Sequence, residues 1–273
     1  METLHFYKMH GLGNDFVIFD QRSKKRAFSK EDILNICDRN KGIGCDQLII
    51  INRNSENEEL IEFYNSSGEE VYACGNGSRC IANLLMKEKK INEIEIKTKE
   101  RKLFCKRVDE NIISIDMGEP KFDWKEIPLK ENPITDSIKY EIDGLTLNQP
   151  YFVNIGNPHV IFFVEDITLY GIDKFGPLIE NDELFPEKVN VSIAEIDSEN
   201  SISINVWERG AGKTLACGTA ACAVTATAVK YKNFNNQVEI KLPGGKLDIS
   251  YKSESNIIMS GKTELSFEGH FEL

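Results

Sequence analysis

Two thiols stand in matching surroundings. Cys74 lies in ACGNGSRC, from Ala73 to Cys80, and Cys217 in ACGTAAC, from Ala216 to Cys222, so two Ala-Cys-Gly elements sit 143 positions apart. Each cysteine precedes a segment that reads as a helix. Unpaired backbone N–H groups at a helix start, with the positive end of the dipole, favour an anion. The thiol pKa, about 8.5 when unperturbed, is therefore expected to fall. The glycine-flanked amides also offer a carboxylate site beside each sulfur. A carboxylate held between two such helix starts would present its α-carbon to a thiolate on one face and a thiol on the other. One sulfur then removes the α-proton while the other returns a proton from the opposite face, which inverts the stereocentre. The carbanion's charge needs preorganised N–H donors at the carboxylate.

The elements that must position these thiols repeat with them. GNDFVIF, from Gly13 to Phe19, falls on GNPHVIF, from Gly156 to Phe162, under the same 143-residue shift. Asn14 then meets Asn157, Gln47 meets Asn190, Asn65 meets Glu208, and Gly75 meets Gly218. Two copies are too few for a solenoid, so the shift points to two similar domains facing each other across a cleft. Short β-rich runs (VIFDQ, DQLIII, LIEFYN) precede the first motif, and RCIANLLMKEKK, Arg79 to Lys90, reads as a helix with cations in its last turn. VSIAEI and SISINVW precede the second motif, and AACAVTATAVKYK follows it as a largely apolar helix, a pattern of burial. The fold class is α/β in the α+β sense. It has two alike domains related by pseudo-two-fold symmetry, each a mixed or antiparallel sheet around a central helix. Pro120, Pro128 and Pro133 place the first crossover in Glu119–Asn148, and a second is expected near Lys262. The expected domains are 1–118 with 263–273, and 119–262, TELSFEGHFEL returning as a strand to the first.

Composition narrows the partners. A net charge of −11 over 273 residues, without a basic stripe, argues against nucleic acid. No apolar run approaches the roughly 20 residues that cross a bilayer, and the N-terminus lacks the pattern of a signal peptide, so a cytoplasmic protein is expected. Seven cysteines without a CxxC fit a reducing compartment. Zinc held by Cys74, Cys80, Cys217 and Cys222 would have spacings wider than usual. Four histidines, at 5, 10, 159 and 270, form no ligand cluster. Nothing nominates a Schiff-base lysine with a phosphate cradle, so no cofactor is expected.

The strings KMHGLGNDFV, DQL, CGNGSRC, GNPH, ERGAG and ACGTAAC, in this order over nearly the whole chain, resemble diaminopimelate epimerase. The resemblance implies an isomerase that interconverts LL- and meso-2,6-diaminopimelate without cofactor, for lysine and peptidoglycan synthesis. Its active site lies in the interdomain cleft. It makes Cys74 the proton donor and Cys217 the acceptor in the LL-to-meso direction. The amides of Gly75, Asn76, Gly218 and Thr219 hold the reacting carboxylate. Asn14, Gln47, Asn65, Asn157, Asn190, Glu208 and Arg209 hold the rest of the substrate, while His159 and Glu208 tune the thiols. The family's dimer contact places an aromatic at Phe267, which implies a homodimer.

Other readings stay open on the residues themselves. Asn14, Asn157 and Gly156 are also ordinary turn residues, and His159 could be a satisfied core histidine. Cys80 and Cys222 read as packing residues. A proline, hydroxyproline or histidine racemase would share the two-thiol plan. A two-lobed amino-acid-binding protein with inert thiols, or a thiol redox protein, would share the repeat.

Overall fold

A computed structural model describes residues 3–23, 26–56, 58–71 and 74–273. Ala73, which opens the first repeated element, lies outside them. The chain divides into two compact units, Met1–Ile115 with Gly261–Leu273, and Asp116–Ser260.

The first unit is built on a six-stranded sheet ordered Glu264–Glu272, Thr3–Gly11, Asn14–Asp20, Gln47–Arg53, Glu59–Asn65 and Glu70–Val71. Phe16, Val17, Ile18 and Phe19 are all buried, so both faces of their strand are covered. Leu12 and Gly13 both have positive φ, which gives the tight turn that sets Gly11 opposite Asn14. Helix α1 (Lys30–Cys37) starts from a capping box between Ser29 and Asp32. Helix α2 (Gly75–Lys89) begins four residues before the expected Arg79, because Cys74 itself caps it. The cap holds an extended backbone, and its sulfur accepts the Gly77 amide at 3.4 Å. Glu93–Lys97, Lys102–Asp109 and Ile112–Asp116 follow as a meander.

In the second unit, strands Tyr151–Asn154, Pro158–Val164, Asn190–Ser198, Ser201–Glu208, Gln237–Leu242 and Gly245–Ser250 lie side by side in that order. Helix α3 (Ile172–Glu180) packs on this sheet, and helix α4 (Gly218–Lys232) is buried from Ala220 through Ala228. The pattern of small and apolar residues nearly all round α4 is thereby accounted for. Among the described residues no helix is long and apolar enough to cross a membrane.

The 143-residue shift is a structural rule as well as a sequence one. α2 and α4 each run 15 residues, and their caps Lys90 and Asn233 both adopt the left-handed conformation, at φ 54° and 53°. Phe16 pairs in parallel with Gln47, and His159 pairs in parallel with Asn190. Two elements went unanticipated in the sequence. Helices α1 and α3 occupy equivalent places, and their last residues, Cys37 and Glu180, coincide under the shift.

The segment Glu119–Asn148 lies within the second unit, which begins at Asp116, and adds to it a hairpin, Lys139–Ile142 with Leu145–Asn148. Ile127, Leu129, Tyr140 and Leu147 enter that unit's core beside Phe162 and Phe175. Single apolar residues spaced among prolines bury well when each meets the core separately, and no long run is needed.

Candidate active site

In the first unit, Cys74 is half-buried at the start of α2, where its thiol donates to Asn14 Oδ1 at 3.7 Å. The same oxygen accepts Asn76 Nδ2 at 3.3 Å, and Arg79, fully buried, holds Asn76 Oδ1 at 2.8 Å. Asn14 is fixed from its other end, since Nδ2 donates to Asp46 Oδ2 at 2.9 Å. Asp46 is bound by Arg39 at 2.8 Å. Arg39 also grips Asp15, which pairs with the buried Lys8 Nζ at 2.6 Å. Burial works to raise Asp15, but Arg39 and Lys8 hold its carboxyl well below the usual range. Gln47 and Asn65 face each other across adjacent strands, joined at 3.0 Å through Nε2 and Oδ1. Gln47 Oε1 is buried with no hydrogen-bond partner among the described residues. Gly75 opens the helix, so its amide and that of Asn76 lie in the first turn beside the sulfur.

In the second unit Cys217 is buried at the start of α4, with Thr219 Oγ1 at 3.4 Å from its sulfur. Thr219 accepts Asn157 Nδ2 at 3.4 Å, and Asn157 Oδ1 accepts from His159 Nε2 at 2.9 Å. Because an amide oxygen only accepts, His159 carries its proton on Nε2 and leaves Nδ1 as a buried acceptor. Burial, with the Arg209 charge, pushes the His159 pKa down to about 3, so the ring is neutral. Its link to Cys217 runs through Asn157 and Thr219. Asn190 uses both ends of its amide internally, donating to Pro158 O at 2.8 Å and accepting the Arg209 amide at 3.0 Å. Glu208 ends its strand beside Cys217, and Arg209 lies at the exposed tip, Nη1 donating to Glu187 O at 3.1 Å.

The thiol of Cys217 overturns one expectation. Burial first, then the Glu208 carboxylate, raise its pKa well above the ordinary thiol value, against the pull of Thr219 and the Ala220 amide. Desolvation of a charge inside the unit outweighs what a helix start contributes. Cys217 is a thiol at neutral pH. Cys80 and Cys222 are fully buried, with burial pushing the Cys80 thiol up to about 12.

Each unit thus gathers its own set around one sulfur: Asn14, Gly75 and Asn76 around Cys74, and Asn157, Gly218, Thr219 and Glu208 around Cys217. Phe267 belongs to neither set. It stands half-exposed on the C-terminal strand, edge-on to Phe6 at 6.0 Å. Sequence reasoning missed the Lys8–Asp15–Arg39–Asp46 chain, although DQL and KMHGLGNDFV contain three of its four members. It also missed Glu180.

Residues 6–123 and 151–266 match the family profile described as diaminopimelate epimerase. A diaminopimelate epimerase of Pelagibacter ubique (strain HTCC1062) is 46% identical, the match covering 93% of this chain and 94% of that protein. That of Acidiphilium cryptum (strain JF-5) is 38% identical over 98% and 96%. Among solved structures, a phenazine biosynthesis protein of the PhzF family from Bacillus anthracis superposes with a TM-score of 0.67 over 100% of both chains, at 16% identity. A hydroxyproline epimerase from Agrobacterium vitis gives 0.61 over 98% and 92%, at 11% identity. At such identities these two structures speak for the fold. Profile and curated relatives agree over nearly the full length, and the chain belongs to the diaminopimelate epimerase family.

Proposed function

We propose that this chain interconverts LL- and meso-2,6-diaminopimelate by removing and returning one α-proton, using Cys74 and Cys217 as the two acid/base groups. The observation that carries the reading is the duplication itself. Two cysteines cap equivalent helices in two units of the same register, each with its own amides and asparagine. Such a pair suits an α-carbon flanked on both faces, its carboxylate taking the amides of Gly75, Asn76, Gly218 and Thr219. The substrate's distal end is an amino-acid group. Its carboxylate suits the planar fork of Arg209, and its ammonium suits amide oxygens such as the unpartnered Gln47 Oε1, with Asn65 and Glu208. Gripping that end selects which α-carbon reacts.

With its proton held by burial and Glu208, Cys217 enters as the donor, and Cys74 as thiolate takes the α-proton from the opposite face. If Cys217 is the acceptor for the LL isomer, this protonation form is the one that acts on the meso isomer. Turnover leaves the proton on Cys74 and the charge on Cys217, which is the form for the reverse direction. In that second form the Cys74 thiol donates to Asn14 Oδ1.

The reaction belongs to lysine and peptidoglycan precursor synthesis in the cytoplasm. We also infer a homodimer through the face where Leu265 and Phe267 stand half-exposed. Sedimentation of Phe267→Glu as a monomer, with the parent a dimer, checks it. The reaction is tested in D₂O: LL-diaminopimelate should acquire deuterium at one α-position without added cofactor. Wash-in with proline or histidine and none with diaminopimelate would replace this reading by another racemase.

A further inference from the structure

Glu180 is a buried carboxylate in an unfavourable place. It ends α3, where the helix dipole is negative, and its side chain is only 7% exposed. A carboxylate kept there must be met by donors, and the donors present all belong to the approach to Glu208 and Arg209 or to the adjoining loop. Oε2 accepts Trp207 Nε1 at 2.7 Å, Oε1 accepts the Gly210 amide at 2.8 Å, and Lys188 Nζ stands 3.7 Å from Oε1. Burial would raise the Glu180 pKa, but Trp207, Gly210 and Lys188 hold it below the ordinary value, so it is ionised at neutral pH.

Those two hydrogen bonds bracket the residues that matter. Trp207 precedes Glu208, and Gly210 follows Arg209. Between them the chain makes a turn closed by the Ala211 amide on Glu208 O at 3.0 Å, with Gly210 at φ 75°. The indole is also fixed sideways. A Cβ on Gly176 of α3 would lie 2.4 Å from Trp207 Cγ, so the ring rests directly on the helix backbone. Asn190 takes the Arg209 amide from the other side. The turn is thereby held at Trp207, Arg209 and Gly210, with Glu208 set beside Cys217 between them.

We propose that Glu180 is a positioning residue that acts through this turn, holding Glu208 against Cys217 and aiming Arg209 toward substrate. The role rests on the two-thiol reading for its purpose but not for its test, which needs neither substrate nor turnover. The groups facing Cys217 are Glu208, Thr219 and the Ala220 amide. In a Cys74→Ser background, the pH dependence of iodoacetamide alkylation is followed by mass spectrometry on the Cys217 peptide. Glu208→Gln should speed alkylation at pH 7.5 by roughly threefold to tenfold, because the charge that opposes the thiolate is gone. Glu180→Ala should speed it in the same direction by releasing Glu208, and the double variant should be no faster than Glu208→Gln alone. Glu180→Gln keeps one acceptor for Trp207 or Gly210, and should fall between parent and Glu180→Ala. It carries the same comparison if Glu180→Ala does not fold. An unchanged rate in Glu208→Gln overturns the proposal, as does a change there with none in folded Glu180 variants. Full additivity in the double variant also overturns it, since that is charge felt at a distance.

Discussion

The two half-sites share a register and differ in what tethers them. Around Cys74 the tether is ionic: Lys8, Asp15, Arg39 and Asp46 pass alternating charges to Asn14. Around Cys217 it is a neutral chain of Thr219, Asn157 and His159, with the charged tether displaced to Glu180 behind the Glu208 turn. The exchange is visible at single positions. Cys37 and Cys45, whose sulfurs lie 3.4 Å apart in the first unit, correspond under the 143-residue shift to Glu180 and Lys188, an ion pair in the second. Backbone pairing was duplicated and kept, while the side chains that brace it were free to change. An asymmetric substrate needs that freedom. One half can hold a reacting carboxylate much as the other does, yet only the second offers Glu208 where the first has Asn65.

The comparison is broken most severely at the sulfurs. Cys74→Ala and Cys217→Ala should each lower α-proton exchange in D₂O by roughly a thousandfold or more, with circular dichroism unchanged. Substantial exchange in either variant would mean that the halves are not equivalent partners. The neutral tether makes a prediction of its own in acid. His159 has its folded pKa depressed from 6.5 to about 3, so its stabilising contribution is complete above about pH 6.5 and is lost as pH falls toward 3. The loss should reach about 4 to 5 kcal/mol. His159→Gln, which keeps a donor for Asn157, should flatten the urea-midpoint curve over that range, and an unchanged acid slope would place the titration elsewhere.

At the ionic tether, Asp46→Ala should raise KM for diaminopimelate about tenfold with a smaller change in kcat, because Asn14 loses its charged acceptor. Equal loss in both constants would move Asp46 from positioning to chemistry. The smallest effects are at an equivalent pair inside the helices, Gly77 and Ala220. A Cβ at Gly77 would come within 2.9 Å of Ile49 Cδ1 and 3.0 Å of Phe63 Cε1, so Gly77→Ala should cost about 1–3 kcal/mol. Ala220→Gly should cost about 1 kcal/mol, chiefly through helix propensity. Thermal melts of the two variants check that the first unit is the more tightly closed at this point.

What could be read from the sequence follows from the same contrast. Asn14, Gln47, Asn65 and their counterparts were legible because the offset preserves polar residues of like type at like spacing. Glu180 was not, because its counterpart is a cysteine and neither α1 nor α3 is long enough for periodicity to declare it. The raised pKa of Cys217 was also hidden. A helix start is a local sequence feature, whereas the burial that overrides it comes from residues distant in the chain. The hairpin at Lys139–Asn148 escaped notice because each of its strands has four residues, and Tyr140 and Leu147 acquire their meaning only on reaching the second unit's core.

The pairing of Thr3 with Glu272 makes the two ends of the described chain cross-strand neighbours. The first unit's sheet is therefore completed by a strand that follows the whole second unit in the chain, a pairing between segments far apart in sequence. Deleting that strand would undo the pairing. It would leave Thr3–Gly11 as an open edge with unpaired N–H and C=O groups, a template for association between chains.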